Sequence, residues 1–174
     1  MRSAFFEMVR PTDLDASEIV PGLYQGSVPP GGSTLKEAGF SAVVLCAVEF
    51  QMGATHFQGI DVIHAPNDDD PTRPPTRREL EIAISAARQV ALRLKGNKNV
   101  LVTCAMGLNR SGLVSALTLH MIHGWDGEEC VQRVQAQRDN ALCNPRFVEV
   151  LQRLPRRNVR GEVATISPGG LFVR

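Results

Sequence analysis

Little in this chain of 174 residues points to a partner through bulk chemistry. Its 19 Lys and Arg are balanced by 18 Asp and Glu, leaving a net charge of +1. No global field therefore draws it to nucleic acid or to an acidic membrane. There is no C-x-x-C pair, and Cys46, Cys104, Cys130 and Cys143 show no metal-like spacing with the four histidines. That pattern favours a reduced, intracellular protein, expected in the cytoplasm. Long apolar runs are also missing. The longest, residues 42–48, falls far short of the roughly 20 residues a membrane helix requires, and Phe5 and Phe6 are followed at once by Glu7, which spoils a signal-peptide core. Repeats and low-complexity segments are absent. What remains is an ordinary globular composition at a length that suits one domain with a real core.

The pattern along the chain is strand and helix in alternation. Residues 19–27 hold strand formers interrupted by Pro21 and Gly22, which predicts a bent edge strand. Ser33 can cap a short helix through Ala38, and residues 42–48 read as a strand covered on both faces. Residues 61–65 give another strand, and residues 49–59 read as a loop. The segment PNDDDPTRPP at 66–75 concentrates turn formers and carboxylates and excludes regular structure. Thr76 and Glu79 have capping-box spacing, and Leu80, Ile84, Ala87, Ala91 and Leu94 recur at helical intervals, so a helix is expected over 76–95. A strand at 100–103, a buried helix at 111–123, a capped helix from Asp126 to about Arg138, and a last helix from Asn144 to about Leu154 complete the series. These elements predict a single α/β domain with a central, mostly parallel sheet flanked by helices. An N-terminal arm (1–18) and a C-terminal tail (156–174) flank the domain expected over 19–155.

The stretch VLVTCAMGLNRSGLVSAL at 100–117 runs strand, loop, helix. Five residues separate Cys104 from Arg110, enough for the backbone of Ala105, Met106, Gly107, Leu108 and Asn109 to curl into a cup of inward N–H groups. Those donors, the positive end of the next helix and a guanidinium together suit a phosphate-like oxyanion. The same field suits a thiolate, the reactive form of cysteine. Ser111 places a hydroxyl near the sulfur, and Gly107 permits the tight path.

These residues resemble the cysteine-dependent protein phosphatases with a C-x5-R loop, in particular the compact dual-specificity phosphatases. The resemblance rests on LYQGS at 23–27, PNDDD at 66–70, CAMGLNRSG at 104–112 and NPRF at 144–147, and it covers residues 19–154. It implies a phosphocysteine formed on Cys104, with Arg110 and the loop amides holding the phosphoryl oxygens, Ser111 assisting the departing thiolate, and no metal or other cofactor. An aspartate on the acidic loop would serve as acid and base. Asp68 matches the family position best, Asp69 is second, and Asp70, before Pro71, fits a turn residue. Where the family usually has histidine before the nucleophile, this chain has Thr103. Asn144 fits either a helix cap or the family asparagine that ties the last helix to the loop.

The implied substrate is a phosphorylated protein or peptide. The loop carries no lysine, which speaks against inositol head groups, and Met106 and Leu108 suit an aromatic or peptide phosphoester. Two other readings stand beside it: a catalytically dead phosphoprotein-binding module, favoured by Thr103, and an RNA 5′-phosphatase, which Gly-x-Asn-Arg at 107–110 resembles but which no basic channel supports. His120 and His123 read as core or helix-end residues, Cys130 and Cys143 as buried apolar thiols, and Arg153, Arg156, Arg157 and Arg160 as a solvated face. Cys46 also reads first as a buried thiol, with a reversible disulfide to Cys104 as the less common outcome. Oligomeric state is not legible.

Overall fold

A computed structural model describes residues 13–158 and 166–171. Residues 1–12 of the predicted arm, and Arg160 of the basic cluster, lie outside them. Five strands form one sheet: β1 (Ala16–Val20), β2 (Leu23–Gly26), β3 (Phe40–Leu45), β4 (Asp61–His64) and β5 (Asn99–Thr103), in the order β1-β2-β5-β3-β4. β1 runs antiparallel to β2, and every other pairing is parallel. The sheet is therefore mostly parallel, with helices on both faces. No helix among the described residues is long and apolar enough to cross a membrane.

Alternation along the strands divides the core. Val43, Leu45 and Leu101 join Leu35, Phe40 and Phe57 in a small cluster under the first helix, α1 (Gly32–Glu37). Ala42, Val44, Val100 and Val102 face a larger core filled by α2 (Arg77–Lys95), α3 (Arg110–His123), α4 (Gly127–Gln137) and α5 (Pro145–Leu151). On α2 the buried stripe is Leu80, Ala83, Ala86, Ala87, Val90 and Ala91, so its alanines let it lie close against α3. α3 is buried at every residue from Arg110 to Met121 and ends on Gly124, whose φ of 69° is the left-handed stop that glycine tolerates. Each fully buried leucine there, Leu113, Leu117 or Leu119, contributes about 2 kcal/mol of transfer free energy.

Several expectations change in detail. Residues 19–27 form a hairpin rather than one bent strand, because Gly22 takes φ 85° and reverses the chain. Its first strand starts at Ala16, inside the segment read as an arm, and takes the edge while β2 sits next to β5. α1 begins at Gly32 with Gly31, not Ser33, at its N-cap, and a Cβ at Gly32 would lie 2.5 Å from the Phe57 carbonyl carbon. α5 ends at Leu151 rather than Leu154. The apolar run 42–48 outlasts its strand: Cys46 and Ala47 stay buried, while Val48 turns outward.

All four parallel strands direct their carboxyl ends to one edge, where Gly26, Leu45, His64 and Thr103 lead into loops. The acidic loop is pinned there by the start of α2. Thr76 and Glu79 form the predicted capping box, and Arg73 donates to both oxygens of Glu79 at 2.9 and 3.0 Å. Those Arg73 bonds, more than the Thr76 amide and in spite of partial burial, hold the Glu79 carboxyl at about 2 instead of 4.5. A lowered folded pKa adds stability that is complete above pH 4.5 and disappears as pH falls toward 2. The stability advantage of the natural chain over Glu79→Gln should therefore be constant above pH 4.5 and shrink between 4.5 and 2, as thermal unfolding across that range will show.

Candidate active site

The loop after β5 is shaped from outside. Met106, Gly107 and Leu108 turn their carbonyls away from Cys104, and each finds a donor. Arg138, at the end of α4, donates Nε to Gly107 O at 2.6 Å and Nη2 to Met106 O at 3.2 Å. Gln25 of β2, fully buried, donates Nε2 to Gly107 O at 3.0 Å, and Leu142 N donates to Leu108 O at 3.2 Å. A trans peptide points its N–H opposite its C=O, so the N–H groups of 107, 108 and 109 face the interior of the loop. Gly107 N donates to Cys104 Sγ at 3.2 Å. Gly107 has φ 69°, and a Cβ there would meet the Gly26 carbonyl carbon at 2.4 Å and Arg138 Nη2 at 2.6 Å. No other residue type fits.

Cys104 is the floor of this cup, 3% exposed, with Ser111 Oγ 3.3 Å from its sulfur. Arg110 opens α3 and is itself buried. Its Nη1 donates to the Glu49 carboxylate and, at 3.3 Å, to Asn67 O. Its Nε is buried with no partner among the described residues, and the Phe50 ring lies 5.9 Å from its guanidinium carbon. One edge of the guanidinium is thus held by protein through Nη1, while Nε on the other remains an unpaired donor among the described residues. Partial burial pushes the Glu49 carboxyl up, but the Arg110 guanidinium outweighs it and holds Glu49 below the usual carboxylate range.

The three aspartates separate. Asp68 is exposed and pairs with Arg73 at 2.8 Å. Asp70 accepts from Thr72 N and Oγ1 at 2.8 and 2.6 Å, a local turn contact that lowers its pKa. Asp69 alone reaches the cup: its oxygens accept from Asn109 Nδ2 at 3.1 Å and Asn144 Nδ2 at 2.7 Å. Asn144 caps α5, accepting from Arg146 N at 2.9 Å, while its Nδ2 goes to Asp69 of the acidic loop and its backbone N–H donates to Asn109 Oδ1 of the cup at 2.9 Å. Thr103 donates Oγ1 to Val44 O at 2.6 Å and accepts from Gln51 Nε2 at 2.8 Å. Ala105 and Leu108 are half-buried on the loop, and Met106 is exposed at its rim.

Cys46 is a buried, free thiol, pushed well up by burial and then by neighbouring Cys104; Cys143 is exposed, contrary to its reading as a buried thiol, because it sits on the turn before α5. His120 is a core histidine whose Nδ1 lies 2.7 Å from Trp125 O, and His123 stacks on the Trp125 ring.

The catalytic-domain profile of the dual specificity phosphatases matches residues 23–157, which spans β2, the cup and α5. The chain belongs to that family. Among curated proteins none matches its sequence. Among solved structures, Tk-PTP in its active form is 26% identical at a TM-score of 0.68, with 83% of this chain and 98% of that chain covered. Human DUSP28 (22% identity, TM-score 0.68, 80% and 92% covered) and PTPMT1 in complex with PI(5)P (19%, 0.68, 80% and 94%) share the fold. The chain is accordingly a dual-specificity-type cysteine phosphatase, with a domain that acts on phosphorylated substrates.

Glu49, Gln51 and Arg138 join this site without any local sequence signal, and Gln25 and Asn67 join it from the LYQGS and PNDDD stretches, where the sequence assigned them no role. Arg138 carries the largest structural share, since it also pairs with Asp15 at 3.1 Å. Replacing it with Met removes the donor to Met106 O, one of the two donors to Gly107 O, and the Asp15 pair. Arg138→Met should lower the unfolding free energy by about 2 kcal/mol in urea denaturation and weaken inhibition of this phosphatase by vanadate.

Proposed function

We propose that the chain is a protein phosphatase hydrolysing phosphotyrosine and/or phosphoserine and phosphothreonine through a phosphocysteine at Cys104, with Asp69 rather than Asp68 as the acid and base. The observation that carries this reading is the convergence on one sulfur of the Gly107 amide and the Ser111 hydroxyl, beneath a guanidinium with an unused edge. Thiolate Sγ attacks phosphorus in line, and the bond to the leaving oxygen breaks. The amides of residues 105–110 and the free edge of Arg110 take the equatorial oxygens, while the Asp69 carboxyl gives its proton to the leaving group. Water then attacks phosphorus, Asp69 takes its proton, and the S–P bond breaks to give inorganic phosphate and a thiolate received by Ser111 and Gly107.

Asp69 is favoured because Asn109 and Asn144 hold it against the cup, whereas Asp68 faces solvent on Arg73. The rim suits a peptide or aryl phosphoester: Met106, Phe50 and Met52 are exposed, and residues 105–109 carry no basic side chain to bind a second phosphate. Such a rim argues for a single phosphoester over a polyphosphorylated head group. A reduced, intracellular setting suits an enzyme that needs its thiol free.

Cys104→Ser should abolish hydrolysis of an aryl phosphate in chelator while leaving inorganic phosphate binding; unchanged turnover would remove the thiol from the reaction. Phosphopeptide binding without turnover by the natural chain would favour the docking module instead. Asp69→Asn should slow esters with basic leaving groups by about a hundredfold, affect strongly acidic leaving groups far less, and exceed the effect of Asp68→Asn at every leaving group.

A further inference from the structure

Arg110 holds its phosphate-facing edge in place only if its other edge is held, and the holder is an unusual one. Glu49 is half-exposed and sits on a turn whose large side chains face solvent: Val48 is 46% exposed, Phe50 62% and Met52 56%. A half-exposed ion pair on a loose turn contributes little, because ordering the turn consumes what the charges gain. Yet the turn is anchored. Gln51 is buried, at 9% exposure, and its amide is used at both ends. Oε1 accepts from Ala47 N at 2.8 Å, which closes the turn, and Nε2 donates to Thr103 Oγ1 at 2.8 Å, the residue that immediately precedes Cys104. Thr103 Oγ1 in turn donates to Val44 O at 2.6 Å, so toward Gln51 its hydroxyl can only accept. Ala47 N is an obligatory donor, which fixes the amide orientation as well.

We propose that Gln51 is a positioning residue for phosphate capture: bridging Thr103 and Ala47, it fixes the 47–51 turn so that Glu49 grips Nη1 of Arg110 and leaves the Nε edge aimed at the substrate's oxygens. This role rests on the reading of Arg110 as the phosphate-binding fork. Gln51 touches neither substrate nor sulfur and works through Glu49. In this arrangement the threonine before the nucleophile is part of the machinery. Its hydroxyl is the fixed point from which the turn is hung, and β3 and β5, paired at Leu45 and Thr103, carry the two ends of the span.

The test is calorimetric titration of inorganic phosphate into the full chain, with steady-state hydrolysis of an aryl phosphate alongside. Gln51→Met, which keeps the volume and loses both hydrogen bonds, should weaken phosphate binding about tenfold and raise KM in step, with kcat little changed. Glu49→Ala should do the same, and the double variant should be no weaker than the poorer single one, because both act through one contact. Thr103→Val should resemble Gln51→Met, and Thr103→Ser, which retains the hydroxyl, should recover most of the lost affinity. Phosphate affinity unchanged in Gln51→Met, even with a lowered melting temperature, would reduce Gln51 to a structural residue and overturn the proposal. So would multiplicative effects in the double variant, or an equal loss of Cys104 alkylation by neutral iodoacetamide, which would signal collapse of the whole loop. No phosphate binding by the natural chain would instead overturn the reading of Arg110, and this proposal with it.

Discussion

A backbone that offers its N–H groups to an anion must do something with the carbonyls on the opposite edge of the same peptides. At residues 107 and 108 those carbonyls belong to buried or half-buried residues, and an unmet buried one costs about 1–3 kcal/mol. Arg138, Gln25 and the Leu142 amide meet them. The rest of the architecture follows from the need to deliver these donors. The hairpin brings Gln25 beneath the loop, α4 ends where Arg138 can reach back, and the turn before α5 supplies Leu142. The cup is therefore a tertiary object held open from behind.

Its front is arranged by opposite charge. Arg110 is gripped on one edge and free on the other, and the acidic loop is divided between tasks that adjacent carboxylates can perform because neighbouring side chains point apart. Asp68 anchors on Arg73, which also braces the first turn of α2; Asp69 turns inward to two asparagine amides; Asp70 closes the loop on Thr72. The long helix, the acid loop and the cup are thus one connected set of hydrogen bonds, with Asn109 as the shared member between loop and last helix.

What could be read from the sequence was local. Cys104, Arg110 and Ser111 are close in the chain, and a strand, a glycine and an apolar helix around them report their own geometry. The capping box of Thr76 and Glu79 and the end of α3 at Gly124 are local in the same sense. Motif position ranked Asp68 above Asp69, whereas the geometry favours Asp69, since spacing places a carboxylate on a loop but says nothing of which side it faces. Arg138 carried no signal, and Gln25, though inside LYQGS, showed no role, because their partners lie far along the chain. Gln51 was hidden for a related reason: it sits in a segment with turn character, where burial of an amide is the exception.

The contact between Gly26 and Gly107 limits what either position can hold. At this point β2 and the loop meet backbone to backbone, and a side chain on Gly107 would collide with strand and arginine together, as one on Gly26 would collide with the Asp15 carbonyl at 2.3 Å. Each exclusion is set by backbone atoms, so neither is relieved by changing the other residue, and the nucleophile's loop rests on a strand that is itself pressed against the chain at Asp15.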